Sequence, residues 1–165
     1  MSEHENVSSE HTSFSQAYLL IHNISKLNNV IQLIKLAFAY GLTPVIVGCQ
    51  TFRPTAELAL AEGGITSPRH FERLEEAKGA LQVRIVGIEI DVSAVPAQRF
   101  QPPLGAPLAF LPGNEGTGLT SRQRDKVDLF VFVPQFGQGT ASLNVHVATT
   151  LVLHEVWMKS VSRCI

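Results

Sequence analysis

Charge is scarce in this chain. Asp, Glu, Lys and Arg together make 16% of 165 residues, and 13 basic against 14 acidic side chains leave a formal net charge of -1. That balance supplies no broad electropositive face of the kind that nucleic acid selects by charge alone, although a local basic patch stays open. Cysteine is nearly absent: Cys49 and Cys164 lie far apart and belong to no metal-ligand spacing or redox pair, so a reducing compartment is the simplest inference. The six histidines, His4, His11, His22, His70, His146 and His154, are scattered without an H-E-x-x-H pattern, and no metal is expected. His154 falls in an apolar helical run and reads as a core or interface residue. No uninterrupted apolar run is long enough for a bilayer, since the longest, Val30 to Val47, contains Gln32, Lys35, Gly41 and Pro44. The opening "MSEHENVSSEHTS" has neither the apolar centre of a signal peptide nor the arginines of a transit peptide, and residues 1–15 read as a flexible polar tail. The expected location is intracellular, the cytoplasm first, with organelle and nucleus open.

What is present is an ordered interior. Hydrophobic residues make 45% of the sequence, enough for one domain over 16–165 to bury a real core. "AYLLIH", "TPVIVG", "LQVRIVGIEI", "LAFL" and "VDLFVFV" read as five buried strands. Between them, "NNVIQLIKLAFAYG" reads as a helix closed by Gly41. "SPRHFERLEEAKG" reads as a second, capped by Ser67, with Pro68 at its first position and glycine at its end. A proline-rich connector, "AVPAQRFQPPLGAP", precedes the fourth strand, and "SLNVHVATTLVLHEVWMKSV" closes the chain as a long helix. Continuous apolar strands alternating with helices imply an α/β fold, a parallel sheet covered on both faces. Ligands in such sheets bind at the carboxyl ends of the strands.

Two of the loops at those ends are rich in glycine. "GNEGTGLTSRQR" puts three glycines around Glu115, and glycine lets main-chain groups approach a ligand closely. The loop lacks the lysine of a nucleotide-binding P-loop, and its carboxylate would repel phosphate, so a neutral or cationic ligand is expected. A plain turn, with Thr120 or Ser121 capping a short helix, explains the glycines about as well.

The pair "LPGNEGTGL" and "VPQFGQGTASLNVHVA", with "NNVIQLIKLAFAYG" upstream, resembles the three ordered motifs of the SpoU/TrmH family of SPOUT RNA methyltransferases, over nearly everything from Tyr18 to Trp157. The resemblance implies a parallel sheet ending in a trefoil knot and a homodimer. It also implies S-adenosylmethionine held bent in the knot's loops, with S-adenosylhomocysteine as product. The implied activity is methyl transfer to a ribose 2′-hydroxyl of tRNA or rRNA. Carried over by motif, the catalytic candidates are Asn29, Lys35, Glu115, Ser142 and Asn144. The implied cofactor contacts are Ile88, Glu89, Leu111, Gly113, Asn114, Val133, Ser142 and Leu143, with Gly113→Val expected to fill the space left for adenosine. Singly, Asn29 and Ser142 could be helix-start residues and Asn144 a first-turn surface residue.

One motif departs. Asn29, Ile31 and Lys35 stand where the family has asparagine, glycine and arginine. Lysine lacks the planar fork of arginine, yet it can act as a base where desolvation disfavours its charge, and Leu33, Ile34, Leu36 and Phe38 surround Lys35 in sequence. The alternatives are a lysine that snorkels to water, and a knotted RNA-binding or ribosome-assembly factor that keeps the pocket without turnover. Dimerisation is further expected from Leu143, Val147, Leu151, Val152 and Trp157 on the last helix. RNA is expected to meet the dimer surface, Arg122, Arg124 and Lys126, or an accessory protein; neither metal nor membrane is expected.

Overall fold

The computed structural model describes residues 16–48, 69–103, 105–139 and 142–162. The tail at 1–15, His4, His11, Cys49, Ser67, Pro68 and Cys164 lie outside them. Along the described residues the order is β1 (Ala17–His22), α1 (Leu27–Ala39), β2 (Thr43–Val47), β3 (Arg69–Phe71), α2 (Leu74–Leu81), β4 (Arg84–Ile88), β5 (Val95–Pro96), β6 (Leu108–Pro112), α3 (Ser121–Arg124), β7 (Leu129–Phe132) and α4 (Val145–Ser162). The strands form one sheet in the order β3-β2-β1-β6-β4-β7-β5, and every pairing is parallel.

A strand sends alternate side chains to opposite faces, so a sheet covered on both sides needs apolar residues at every position. In β1, Leu19 and Ile21 enter one core while Tyr18 and Leu20 enter the other; β6 divides Leu108 and Phe110 from Ala109 and Leu111 in the same way. The first core is closed by α1, through Val30, Leu33, Ile34 and Ala37, and by α4, through Val152, Leu153 and Val156. The helical spacing of these residues lays them on one side of each helix. The second core is closed by Leu74, Ala77 and Leu81 of α2 and by Leu119. Helix α1 ends as the sequence predicts: Gly41 has φ +69 and Leu42 N–H donates to Ala37 C=O at 2.8 Å.

Three expectations about the elements need correction. The sheet has seven strands, because the short β3 and β5 carry too few residues to show a period. The stretch expected to open the second helix is strand β3, paired with β2 over Val45–Val47, and α2 begins only at Leu74. That helix also runs through Gly79 and stops at Gln82, which takes the left-handed conformation with φ +51 in glycine's place. Finally, α4 starts at Val145. Asn144 is its cap, accepting from His146 N–H at 2.9 Å, and Ser142 lies before the helix.

Candidate functional site

Strands β6, β4 and β7 are neighbours in the sheet, so the loops that leave their carboxyl ends converge. Between those loops lies a cleft. It is lined by Ile88, Glu89, Gly113, Asn114, Glu115, Val133, Ser142 and Leu143, all named from the sequence, and also by Ile90, Pro112, Phe132, Gln135, Val145 and Ala148. Leu111 is the exception: it is fully buried in the second core, and Pro112, one residue on, faces the cleft instead. Alternation along β6 is the reason, and it could have been applied to the sequence.

The glycine loop is a tight, self-bonded turn. Asn114 and Gly118 exchange both main-chain hydrogen bonds, at 3.2 and 3.0 Å, and Asn114 Oδ1 accepts from Gly116 and Thr117 N–H at 2.9 and 3.1 Å. Asn114 Nδ2 ties the turn to β1's end by donating to Asn23 C=O and Ser25 Oγ, both at 2.7 Å. Glu89 fills the underside. Its Oε2 accepts from Leu119 N–H at 2.9 Å, its Oε1 from Ile90 N–H at 3.0 Å, and a Cβ on Gly113 would stand 2.5 Å from Oε2. A Cβ on Gly118, where φ is +65, would collide with the same carboxylate. Gly113 therefore makes room for Glu89, and a side chain there would meet this carboxylate as well as any adenosine in the cleft. The cap on α3 is Thr120, in a reciprocal capping box with Gln123.

Above the turn, the three motifs meet in one hydrogen-bonded relay. Asn144 Nδ2 donates to Asn29 Oδ1 at 3.1 Å, and Asn29 Nδ2 donates to Glu115 Oε1 at 2.6 Å. Glu115 also accepts from Ser25 N–H at 3.2 Å and Lys26 N–H at 3.3 Å, so it caps the start of α1, where Lys26 in the cap position makes no side-chain cap bond. Burial alone would push this carboxyl up, but donation from Asn29 and from the backbone of Glu115, Ser25 and Lys26 outweighs it and holds the group below its ordinary value. Asn29 is buried with both ends of its amide satisfied. The result is an anion fixed at the edge of the cleft, a geometry that suits a cationic ligand.

Residues 16–154 match the SpoU rRNA Methylase family. The chain belongs to that family. A protein of Staphylococcus haemolyticus assigned to the TrmH family of tRNA/rRNA methyltransferases is 40% identical over 53 residues, 32% of this chain and 21% of its own length. Among solved structures, the SpoU methyltransferase AviRb of Streptomyces viridochromogenes superposes with TM-score 0.72 at 20% identity, covering 92% of this chain and 62% of AviRb. An AdoMet-bound rRNA methyltransferase of Sinorhizobium meliloti gives 0.67 at 23%, covering 88% and 57%. A third structure, described for 2-OH methylation of C/U34 on tRNA, gives 0.70 at 18%, covering 90% and 98%. At these identities the structural likeness carries the fold, and the chain spans about a fifth of the curated relative and little over half of the S. meliloti enzyme.

Within this SpoU chain, several expected residues lie away from the cleft. Lys35 is exposed on α1 and does not line it, so the apolar neighbours seen in sequence do not enclose it. They turn inward to the first core while Lys35 points out. Arg124 is committed internally: its guanidinium pairs with Asp91, donates to Leu119 C=O at 3.2 Å, and lies over the Phe130 ring at 5.7 Å. Arg122 is exposed. On α4, Val147, Leu151 and Met158 are exposed and Leu143 just before it is partly so, whereas Val152 is fully buried and Trp157 packs against Tyr40 and Phe110. His154 shares the exposed face and is no core residue. Among the described residues no helix is long and apolar enough to cross a membrane.

A second hollow lies on the far side of the glycine loop, lined by residues including His22, Ser25, Thr120 and Gln123. It contains none of the relay residues. His22 there shares a 3.2 Å hydrogen bond with Gln123 Nε2, and burial pushes its imidazole below the ordinary value against an opposing pull from Glu75.

Proposed function

We propose that the protein is an S-adenosylmethionine-dependent methyltransferase acting on the ribose 2′-hydroxyl of tRNA or rRNA. The observation that carries this is the relay from Asn144 through Asn29 to Glu115 beside a cleft at the carboxyl ends of β4, β6 and β7, in a chain of the SpoU family. The AdoMet-bound relatives and the tRNA 2-OH methylation neighbour support the same reading. When bound, S-adenosylmethionine supplies a methyl group on a cationic sulfur. Ile88, Ile90, Val133 and Leu143 give apolar walls for a nucleoside base, and the backbone of Pro112 to Asn114 can approach it closely. Glu115, held ionised, faces positive charge, and the relay fixes its orientation. Alignment of donor and hydroxyl then supplies most of the rate, with loss of the hydroxyl proton as the remaining demand.

The reading includes a homodimer and the trefoil knot. Val147, Leu151 and Met158 fall on one side of α4 and leave an apolar stripe that a second copy would cover. Exposed within one chain, Lys35 would act at the cleft of that copy, where it is the candidate base. Calorimetric titration with AdoMet, followed by transfer of labelled methyl to total RNA and analysis of the digested nucleosides, tests the proposal. Cofactor binding and 2′-O-methylnucleosides are expected, with Lys35→Met abolishing transfer and sparing binding. Cofactor binding without transfer to any RNA would overturn the enzyme and leave a binding protein. Light scattering tests the dimer, which Leu151→Lys should break.

A further inference from the structure

We infer that Phe136 is the platform on which a base of the substrate RNA stacks, a contact that selects and orients the RNA strand at the mouth of the cleft. The inference rests on the RNA methyltransferase reading above and deepens it.

Phe136 is 90% exposed, an unusual setting for a phenylalanine that serves only packing. Its position is specific: Gln135, the preceding residue, lines the cleft, and so does Ile90 on the facing loop, itself 65% exposed. Phe136 thus belongs to a loop that borders the cleft without itself lining it, next to the opening through which a nucleotide would bring its ribose.

The surroundings favour a nucleobase over a second protein surface. Phe136 is a single ring set in "PQFGQG", between amide side chains and glycines, and a Cβ on Gly137 or Gly139 would meet nothing within 4 Å. Exposed apolar side chains do occur on the neighbouring β4–β5 segment, Ile90, Val92 and Val95, so the choice between a base and a second protein surface rests on charge and on the polar neighbours of the ring, and the stripe of Val147, Leu151 and Met158 on α4 is the face assigned to a second copy. Charge points the same way. No Asp or Glu occurs between Asp128 and Glu155, so the segment that carries the ring offers nothing to repel a phosphate backbone. The cleft's carboxylates, Glu89 and Glu115, sit on the other loops, and a flat aromatic face with amide neighbours on an uncharged segment is what sequence-tolerant stacking of single-stranded RNA uses.

The test compares Phe136→Ala with Phe136→Tyr. Loss of the ring should raise KM for total tRNA or rRNA roughly tenfold to a hundredfold, leave the AdoMet dissociation constant and the light-scattering mass unchanged, and be rescued by tyrosine, which keeps the stacking face. A second measurement does not need turnover: Phe136→Trp, in a Trp157→Phe background, should lose fluorescence on titration with total tRNA as bases stack on the indole. If the parent methylates RNA and Phe136→Ala does so with unchanged KM, the inference fails while the enzyme stands. If Phe136→Ala instead halves the scattering mass, Phe136 is a subunit contact and the inference fails. If the parent shows no transfer, an unquenched tryptophan overturns the inference, and a quenched one upholds the RNA contact apart from catalysis.

Discussion

Two glycine-rich loops border the same cleft, and they use glycine for opposite purposes. Around Glu115, Gly113 and Gly118 are pressed against the Glu89 carboxylate, with no room for a Cβ. Beside Phe136, a Cβ on Gly137 or Gly139 would meet no atom within 4 Å. The first loop is a built cradle, closed by its own main-chain pair and tied to the end of β1 through Asn114. The second leaves its two glycines room for side chains. Glycine in a sequence can thus mark a close approach that admits no side chain or a place where one would fit.

The largest effect should come from breaking the cradle. Gly118→Ala forces a Cβ into Glu89 and places alanine at a positive φ, so overpacking and left-handed strain add to a destabilisation of roughly 2–4 kcal/mol. Thermal unfolding should show a fall of several degrees, together with loss of AdoMet binding. An unchanged melting temperature would mean that Glu89 leaves its place at little cost.

The cause can be isolated with a double-mutant cycle. Gly113→Ala alone should destabilise by about 1–3 kcal/mol, and Glu89→Ala alone should cost less, since its bonds to Leu119 and Ile90 N–H are partly exposed and water can replace them. The pair should be more stable than the sum predicts, because removing the carboxylate removes the clash. Strict additivity in denaturant unfolding would show that the glycine answers to the Gly118 backbone, 3.2 Å from the same Cβ position, and not to Glu89.

Acid should loosen the cradle by a separate route. Glu115 has a folded-state pKa below its ordinary value of 4.5, so the stability it contributes is present above that value and is lost as pH falls through the depressed one. Glu115→Gln keeps the shape but removes the charge that caps α1, and its unfolding midpoint should depend less on pH below 4.5 than the parent's. A parallel pH profile in the two proteins would show that Asn29, Ser25 and Lys26 bond the neutral amide as well as the anion.

Much of this site was legible in the chain, because its parts lie on motifs with fixed spacing. Asn29, Glu115 and Asn144 are brought together as relay partners, and the strand ends fall where apolar runs stop. What stayed hidden depends on the third dimension. That Glu89 lies beneath two glycines needs the β4–β6 pairing, which no local pattern encodes. Lys35 looked enclosed because its sequence neighbours are apolar, yet on a helix those neighbours turn away from it. Strand β3 is only three residues long, too short to outweigh a plausible cap and proline before it.

The smallest effect should come from the second loop, where the comparison predicts almost nothing for stability. Gly137→Ala and Gly139→Ala meet no atom within 4 Å, and neither glycine has the positive φ that would strain alanine. Each should therefore change unfolding free energy by no more than about 0.5 kcal/mol, with the sign tipped toward stabilisation because alanine has less backbone freedom to lose on folding. Function should respond differently. If this loop adapts around cofactor and RNA, the same loss of freedom should slow its rearrangement, so that turnover falls a fewfold while the melting temperature holds or rises. A matched drop in stability, as large as that of Gly118→Ala, would show that the second loop is a built structure too and that the contrast between them is false.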